Sequence, residues 1–248
     1  MSFNWLSIET IQLLLKGLAL TVVLTVATSL LASGIGVPMG LLRLSERRAL
    51  RWLATAHVDV NRNVPALVLV IFWAFALPNL FPAEMRRAIF FDNWLMAHLQ
   101  VWSGLSIPYY TLAAALALSL NTSAYLAELF RAGVGTIAKE HLDAARSLGA
   151  PQHVLIMQIL VPQGLRAAFP AISTRLIHNL KNTALAAFVS TPEFFHSAQT
   201  AITRSFRALE FLLLASIVYL TLSLLLASLL RRLERKLERR PSLARVGP

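Results

Sequence analysis

The sequence predicts an all-α integral membrane protein with five transmembrane helices, and three features support this fold class. Hydrophobic residues make up 56% of the 248 residues and charged residues only 14%, whereas a soluble globular domain carries roughly 25% charged residues. Uncharged runs of 20 or more residues recur along the chain, and most Lys and Arg residues lie between them. A soluble enzyme is therefore disfavoured, and an intrinsically disordered chain is excluded.

Four of the five spans are visible as uncharged runs. These are residues 17–42, 63–83, 93–127 and 211–230, and the most helix-like part of the third begins near residue 107. Each is long enough, because a membrane-spanning helix needs about 20 residues. A signal peptide is not expected, since the first run is too long for its apolar region and the first basic residue is Lys16.

The fifth span follows from the distribution of basic residues, since basic loops tend to remain in the cytoplasm. Residues 43–62, residues 131–166 and the C-terminal tail together hold sixteen of the 23 Lys and Arg. All three segments can lie inside only if two crossings separate Arg166 from Arg231. We therefore expect the N-terminus outside and the C-terminus inside, with spans at about 17–42, 63–83, 107–130, 168–190 and 211–230.

The exterior segments are expected to be short or interfacial. Residues 1–12 are predicted to form a lead-in along the outer surface. Residues 84–104 are predicted to make an interfacial excursion, because Trp94 and Trp102 favour that depth. Residues 191–210 carry balanced charges, as exterior loops do.

The net charge of +11 is assigned to the cytoplasmic side of the membrane rather than to nucleic-acid binding. Residues 234–248 form a basic cytoplasmic tail, and Glu and Arg at helical spacing extend the last helix into it. The chain has no Cys, and its six His residues show no paired spacing, so we expect neither a disulfide nor a metal site. No catalytic pairing of residues at one membrane depth is evident, which argues against an intramembrane enzyme.

The cytoplasmic segment 136–162 is strongly patterned. A short helix is predicted over residues 136–148, with Gly149 as its C-terminal cap. A second, apolar helix is predicted over residues 152–160 and is closed by Pro162. The small side chains in the first helix permit close approach by a partner, although an ordinary cytosolic hairpin is the alternative interpretation.

The residues of this segment resemble the EAA motif of binding-protein-dependent ABC transporter permeases. That motif runs Glu-Ala-Ala, three residues, Gly, nine residues, Ile, one residue and Leu-Pro. The spacing is kept in full, with Asp143 in place of Glu and Val161 in place of Leu. The matching positions, which the resemblance implies for coupling to an ATPase, are Asp143, Ala144, Ala145, Gly149, Ile159 and Pro162.

Further stretches resemble the polar amino acid branch of that family, which imports solutes such as histidine, glutamate, glutamine, arginine and opines. The similar stretches are residues 17–21, 62–68, 124–133 and 179–185, and the resemblance covers residues 13–233. One departure is Asn182, which stands where Asp is usual.

The resemblance implies a type I importer permease in the inner membrane of a bacterium. Its partners would be an ABC ATPase subunit, a solute-binding protein, a second permease chain that is identical or paralogous, and membrane lipids. ATP and Mg would be bound by the ATPase, and this agrees with the sequence, because no GxxxxGK[ST] phosphate-binding loop occurs in this chain.

Three basic residues lie inside the predicted fourth span at steps of three. Arg175, His178 and Lys181 would cost several kcal/mol if they faced lipid at mid-bilayer, about 2.5–3.5 kcal/mol for each Arg or Lys. We expect them to face a subunit interface or a water-filled path, together with Asn182 and, in the third span, Asn121. They could bind the carboxylate of an amino acid that has an acidic or amide side chain. Alternatively, they pair with polar groups of a neighbouring helix.

Two other polar features of the spans are interpreted as structural. Glu128 lies three residues from Arg131, which predicts a local ion pair. Gly36 and Gly40 form a GxxxG pattern that predicts close helix packing. Other functions remain as alternatives: an importer of the same fold for an opine, a polyamine or another amine, and a self-sufficient channel or carrier.

Overall fold

The computed structural model describes residues 7–91, residue 98 and residues 108–238, and all regular secondary structure among them is helical. π-Helical turns occur within α3, directly after α4 and near the start of α7, at Phe72–Ala76, Arg87–Phe91 and Leu155–Leu160. The helices are α1 (Ile8–Leu42), α2 (Arg48–Asn63), α3 (Ala66–Asn79), α4 (Ala83–Arg86), α5 (Tyr109–Val134), α6 (Lys139–Ser147), α7 (Gln152–Val189), α8 (Phe194–Ser205) and α9 (Ala208–Glu238).

Four helices, α1, α5, α7 and α9, are long and apolar enough to cross a membrane. The predicted second span, residues 63–83, contains the short helix α3 alone. A crossing here qualifies only when α2, which lies before the predicted span, is taken together with α3, and the two meet at an angle of 106°. The break lies at Val64, whose ψ of 131° is extended. Pro65 follows it, and proline disfavours helical geometry in the residue before it.

Residues 43–62 were predicted as a cytoplasmic loop, but most of them form the amphipathic helix α2. Ala54 and Val58 are fully buried, while Trp52 is exposed on the opposite side. Helical spacing of these two small apolar residues places one face of α2 against α5. Hydropathy did not predict this helix, because its basic residues lower the mean hydropathy of the segment.

The helices α1 and α5 run in the same direction along a seam made by the GxxxG pattern. A Cβ atom at Gly36 would lie 2.8 Å from the Ser123 carbonyl oxygen, and one at Gly40 would lie 2.8 Å from the Ala127 carbonyl oxygen. The predicted close packing is therefore confirmed, and the closest approach is between the backbones of the two helices.

We expect Gly36→Val to destabilise the protein by about 1–3 kcal/mol, because its side chain meets backbone that cannot move aside. Gly34→Val is the matched control, since nothing lies within 4 Å of a Cβ at Gly34 in the same helix. Thermal unfolding in detergent measures the difference. Equal melting temperatures for the two variants would contradict the assigned seam.

The predicted end of a helix at Pro162 is wrong, because α7 continues through this proline from Gln152 to Val189. The wide turn Leu155–Leu160 comes just before it, and the Val161 N–H bonds to the Ile156 carbonyl, five residues back. A π-helical turn opens the hydrogen-bond ladder where a proline has no N–H to donate. The second half of the patterned segment, residues 152–162, and the predicted fourth span, residues 168–190, thus lie in one helix.

Residues 191–210 were predicted as an exterior loop but contain the packed helix α8. Glu193 is fully buried and caps α8 by accepting hydrogen bonds from the Phe195 and His196 N–H groups, at 2.9 and 2.7 Å. Its carboxylate also accepts from the Tyr219 hydroxyl at 2.6 Å and the Thr21 hydroxyl at 3.2 Å. One carboxylate therefore joins α1, α8 and α9.

At the chain ends the structure changes two boundaries. Ser7 caps α1 by accepting from the Thr10 N–H at 3.2 Å, so residues 8–12 of the predicted lead-in belong to the first long helix. The last helix extends to Glu238, as predicted for the start of the tail. Trp94, Trp102 and the remaining parts of the lead-in and tail lie outside the described residues.

Candidate functional site: a coupling hairpin and a polar cluster within the spans

The hairpin formed by α6, residues 148–151 and the first turn of α7 is called the coupling hairpin, after the role that the sequence predicts for it. Gly149 has a φ of +77°, and its N–H donates to the Arg146 carbonyl at 2.9 Å. The Ala150 N–H donates to the Ala145 carbonyl at 3.0 Å. These two bonds form the glycine-based helix end that the sequence predicted. Only glycine adopts this φ without a steric penalty.

Four of the six predicted coupling residues lie in this hairpin. Asp143 is exposed and pairs with Arg146 of its own helix at 3.1 Å, Ala144 is exposed, Ala145 is half-buried, and Gly149 ends the helix. The structure does not bring the other two to the tip. Ile159 and Pro162 lie half-buried further along α7.

Sequence reasoning missed Leu148, whose side chain is 88% exposed at the tip of the hairpin. It is one of many exposed apolar side chains of this chain, and its position beside Gly149 makes it accessible to a partner.

A cleft of about 340 Å³ separates the coupling hairpin from the turn that follows α1. Leu142 and Leu155 line the hairpin side, and Leu44 and Glu46 line the other side. The hairpin is therefore not packed flush against the end of the first span.

The polar cluster of the spans is organised around the middle of α5. Asn121, at the midpoint of that helix, donates from Nδ2 to the Asn61 carbonyl at 2.6 Å. The Tyr125 hydroxyl donates to the Arg62 carbonyl at 3.4 Å. A helix end leaves its last carbonyl groups without partners in the helix. Two such carbonyls of α2 therefore accept hydrogen bonds from side chains of α5. His57, whose Nε2 lies 3.0 Å from Ser123 Oγ, adds a second anchor.

Arg175 joins this cluster from α7. Its Nη2 donates to Asn121 Oδ1 at 2.5 Å, and its guanidinium lies 3.7 Å from the centre of the Tyr125 ring. This is one of the two predicted arrangements, in which the cation pairs with a polar group of a neighbouring helix. Its Nε is buried and has no partner among the described residues.

The other predicted pathway residues do not pack with Asn121. His178 and Lys181 are exposed and Asn182 is half-buried on α7. Within residues 7–91 and 108–238, neither His178 nor Lys181 forms a hydrogen bond or an ion pair. Because exposed charge is costly in lipid, this face of α7 is suited to water or to another protein chain.

Asn179 does not belong to this exposed face of α7, because it is fully buried. It accepts from the Thr122 hydroxyl at 2.9 Å and donates to the Thr28 and Ser29 hydroxyls at 2.7 and 3.1 Å. The side chain therefore fastens α1, α5 and α7 together, which is a structural role.

Glu128 forms the predicted ion pair with Arg131, at 2.6 Å. It also pairs with Arg43 at the end of α1 and lies 3.8 Å from Arg62 of α2. Sequence reasoning missed both contacts, since Arg43 is 85 residues away in the chain.

A comparison with protein families decides what this architecture is. Residues 32–239 match the family described as the binding-protein-dependent transport system inner membrane component. The chain belongs to this family. It is therefore an inner-membrane transport component and not an enzyme, and the resemblance of the EAA-like motif is confirmed at the level of the family.

Permeases that are named for their substrates align with this chain over most of their length. The glutamate/aspartate import permease protein GltK of Escherichia coli O6:H1 is 30% identical, over 90% of this chain and 92% of that protein. The arginine transport system permease protein ArtQ of Bacillus subtilis is 29% identical, over 89% and 90%. The nopaline transport system permease protein NocM of Agrobacterium fabrum is 27% identical, over 90% and 87%.

Solved structures share the fold. An amino acid ABC transporter crystallised with histidines gives a TM-score of 0.72 at 24% identity, covering 95% of this chain and all of that chain. The MetNI methionine transporter in an inward-facing conformation gives 0.71 at 19% identity, covering 94% and 100%. At these identities the likeness establishes the fold of an ABC importer permease.

The permease has no metal-binding group of three or more His, Asp or Glu side chains in the part of the chain that the structure describes. Its charged groups are instead distributed between the coupling hairpin and the polar cluster. These two regions are the candidate functional sites.

Proposed function

We propose that this permease carries a polar amino acid across the bacterial cytoplasmic membrane by alternating access, driven by ATP and Mg bound to a separate ATPase subunit. A solute-binding protein would deliver the substrate from outside. A second permease chain, identical or paralogous, would complete the path. An opine is the second candidate substrate, because NocM is named for nopaline transport.

The proposed topology is one transmembrane domain, residues 13–233, with five crossings, the N-terminus outside and the C-terminus inside. The contacts support alternating directions, since α1, α5 and α9 run one way and α7 the other. For example, α7 passes Gly133 at Gly164 and Thr122 at Asn179. The α2–α3 pair supplies the remaining crossing.

The observation that carries the proposal is the continuity of α7. Arg175 lies 23 residues beyond Gln152 in one helix, a distance of about 35 Å at 1.5 Å per residue. A force applied to the coupling hairpin can therefore be transmitted to the polar cluster through one continuous helix. We assign ATPase coupling to Asp143, Ala144, Ala145, Gly149, Ile159 and Pro162, with Leu148 added.

The proposed substrate path follows the exposed face of α7 near the polar cluster. Arg175 and Lys181 supply positive charge for a carboxylate, His178 supplies an imidazole, and Asn121 and Asn182 supply amide groups. The Arg175 guanidinium keeps an unpartnered Nε, so its bonds to α5 do not use all of its donors.

The decisive experiment is uptake by proteoliposomes that contain this permease with its ATPase, second permease and binding protein. We expect uptake of radiolabelled glutamate, glutamine, arginine or octopine to require ATP. The permease reconstituted alone should move none of them. Transport by the isolated chain would overturn the proposed mechanism.

Within that assay, Arg175→Ala and Lys181→Ala should each lower uptake at least about 10-fold, since each removes a charged hydrogen-bond donor from the path. Arg232→Ala, which removes an exposed cation from the cytoplasmic end of α9, is the control. Normal uptake by either variant at normal expression would remove that residue from the path.

A further inference from the structure

A groove of about 370 Å³ runs along α7 between the coupling hairpin and the polar cluster. Its lining on α7 recurs every three or four residues from Pro162 to Leu176, so one face of that helix forms its wall. Ser33 and Val37 of α1 and Leu237 of α9 complete the lining, with Leu126 of α5. Most of these side chains are half-buried, so the groove opens on the surface of the described part of the chain.

The inner stretch of the groove is apolar and has the depth of one membrane leaflet. From Arg166 to Leu176 it extends over ten residues of α7, about 15 Å at 1.5 Å per residue. Half of the hydrocarbon core of a bilayer is also about 15 Å. The hydroxyl of Ser33 already donates to the Ser29 carbonyl at 2.8 Å, so it makes no demand on a ligand. This stretch therefore suits the acyl chain of a lipid.

A single cation stands at the other end of this apolar stretch. Among the described residues, Arg166 is the only charged side chain that lines the groove, and it is half-buried. Within residues 7–91 and 108–238 it forms no hydrogen bond or ion pair, and neither does Glu234, one turn before Leu237 on α9. A partly buried cation without an acceptor is unfavourable, so an anion beside Arg166 would be stabilising.

The charge of the chain disfavours its own C-terminal segment as the occupant. Residues 239–248 follow directly on α9, but they hold three Arg and no Asp or Glu. Their positive charge would repel Arg166. An uncharged apolar ligand would fill the groove but leave the cation without a partner. An anionic phospholipid supplies both an acyl chain and a phosphate.

We propose that the groove binds an acyl chain of an anionic phospholipid from the cytoplasmic leaflet, and that Arg166 binds the phosphate of its head group. The site rests on the proposed topology, which places Arg166 at the level of the cytoplasmic head groups, two residues before the predicted fourth span. Basic pockets between membrane helices on the cytoplasmic side bind anionic head groups in this way. The bound lipid would lie against α1, α5 and α7 together.

The test is native mass spectrometry of the purified complex of permease and ATPase subunits, titrated with lipid in detergent. The probes are dioleoyl phosphatidylglycerol, dioleoyl phosphatidylcholine and dihexanoyl phosphatidylglycerol. The first should bind about 5-fold or more tightly than the second, which has the same chains but no net charge. It should also bind at least about 10-fold more tightly than the third, whose short chains bury fewer methylene groups.

Two kinds of variant separate the head-group contact from the groove. Arg166→Gln should weaken binding of dioleoyl phosphatidylglycerol at least about 10-fold, because it removes a charge-assisted hydrogen bond. Ser33→Phe, which fills the groove and keeps every charge, should weaken it as much, and Val37→Phe is the second groove-filling variant. Arg48→Gln is the control, since it removes an exposed cation at the start of α2 and should keep the affinity within about 2-fold.

Three results would overturn the assignment. The first is wild-type affinity in Arg166→Gln or in a groove-filling variant that assembles, which would leave only general attraction to basic residues. The second is equal affinity of the wild type for all three lipids. The third is failure of both groove-filling variants to assemble, which would make the groove an interface between subunits. ATP-driven uptake is measured separately, so the proposed function can stand when this assignment fails.

Discussion

Replacing Gly149 with proline should reduce ATP-driven uptake by about 100-fold, the upper range of a coupling free energy between two sites. Proline fixes φ near −65°, whereas this residue needs +77°. The change also removes the N–H that donates to the Arg146 carbonyl at 2.9 Å. No atom lies within 4 Å of a Cβ at this position, so the loss comes from backbone geometry and not from a clash.

The matched control is Gly149→Asn, because asparagine tolerates the left-handed conformation and retains its N–H. It should transport far better than the proline variant.

Asp143→Arg should also abolish uptake, since it places like charge beside Arg146, which now lies 3.1 Å from the aspartate. Membrane insertion of each variant is measured by protease protection. Wild-type transport by both Gly149→Pro and Asp143→Arg would show that the hairpin does not couple the ATPase to the spans.

Glu193→Ala should destabilise the protein by about 3 kcal/mol, because its removal strands several buried donors at once. The Tyr219 hydroxyl and the N–H groups of Phe195 and His196 would lose their acceptor, and α8 would lose its cap. Thermal unfolding in detergent, followed by size-exclusion chromatography, measures the loss.

Glu210→Ala is the comparison, since that carboxylate is 39% exposed and pairs with Arg207 at 3.4 Å near the surface. Such exposed pairs contribute at most about 1 kcal/mol. A melting temperature for Glu193→Ala no lower than that for Glu210→Ala would refute the role of the buried carboxylate in joining α1, α8 and α9.

The long apolar helices could be predicted from the sequence, because hydropathy and charge are properties of contiguous residues. The predicted fourth span lay within α7 even though it contains Arg175 and Lys181, since the placement of basic loops required a crossing there. Hydropathy could not reveal the bend at Val64, because the charged residues of α2 hid the helix that precedes it. Nor could it reveal that α7 continues through Pro162, which depends on the π-helical turn before it.

The candidate sites were predicted where the signal was local. The helix end at Gly149 follows from one residue, and its hydrogen bonds are as expected. Glu193 was not singled out, because what distinguishes it is its contact with distant partners. Thr21 is 172 residues from Glu193, and no periodic pattern in the sequence encodes that contact.

The bend between α2 and α3 has a mechanical consequence. The helix α3 is fastened through Leu69 and Val70 to the first half of α5, whereas α2 is fastened through Asn61 to the midpoint of α5. A straight rod would transmit every tilt from one side of the bilayer to the other. Here the chain bends at Val64, so one arm can tilt against α5 without moving the other.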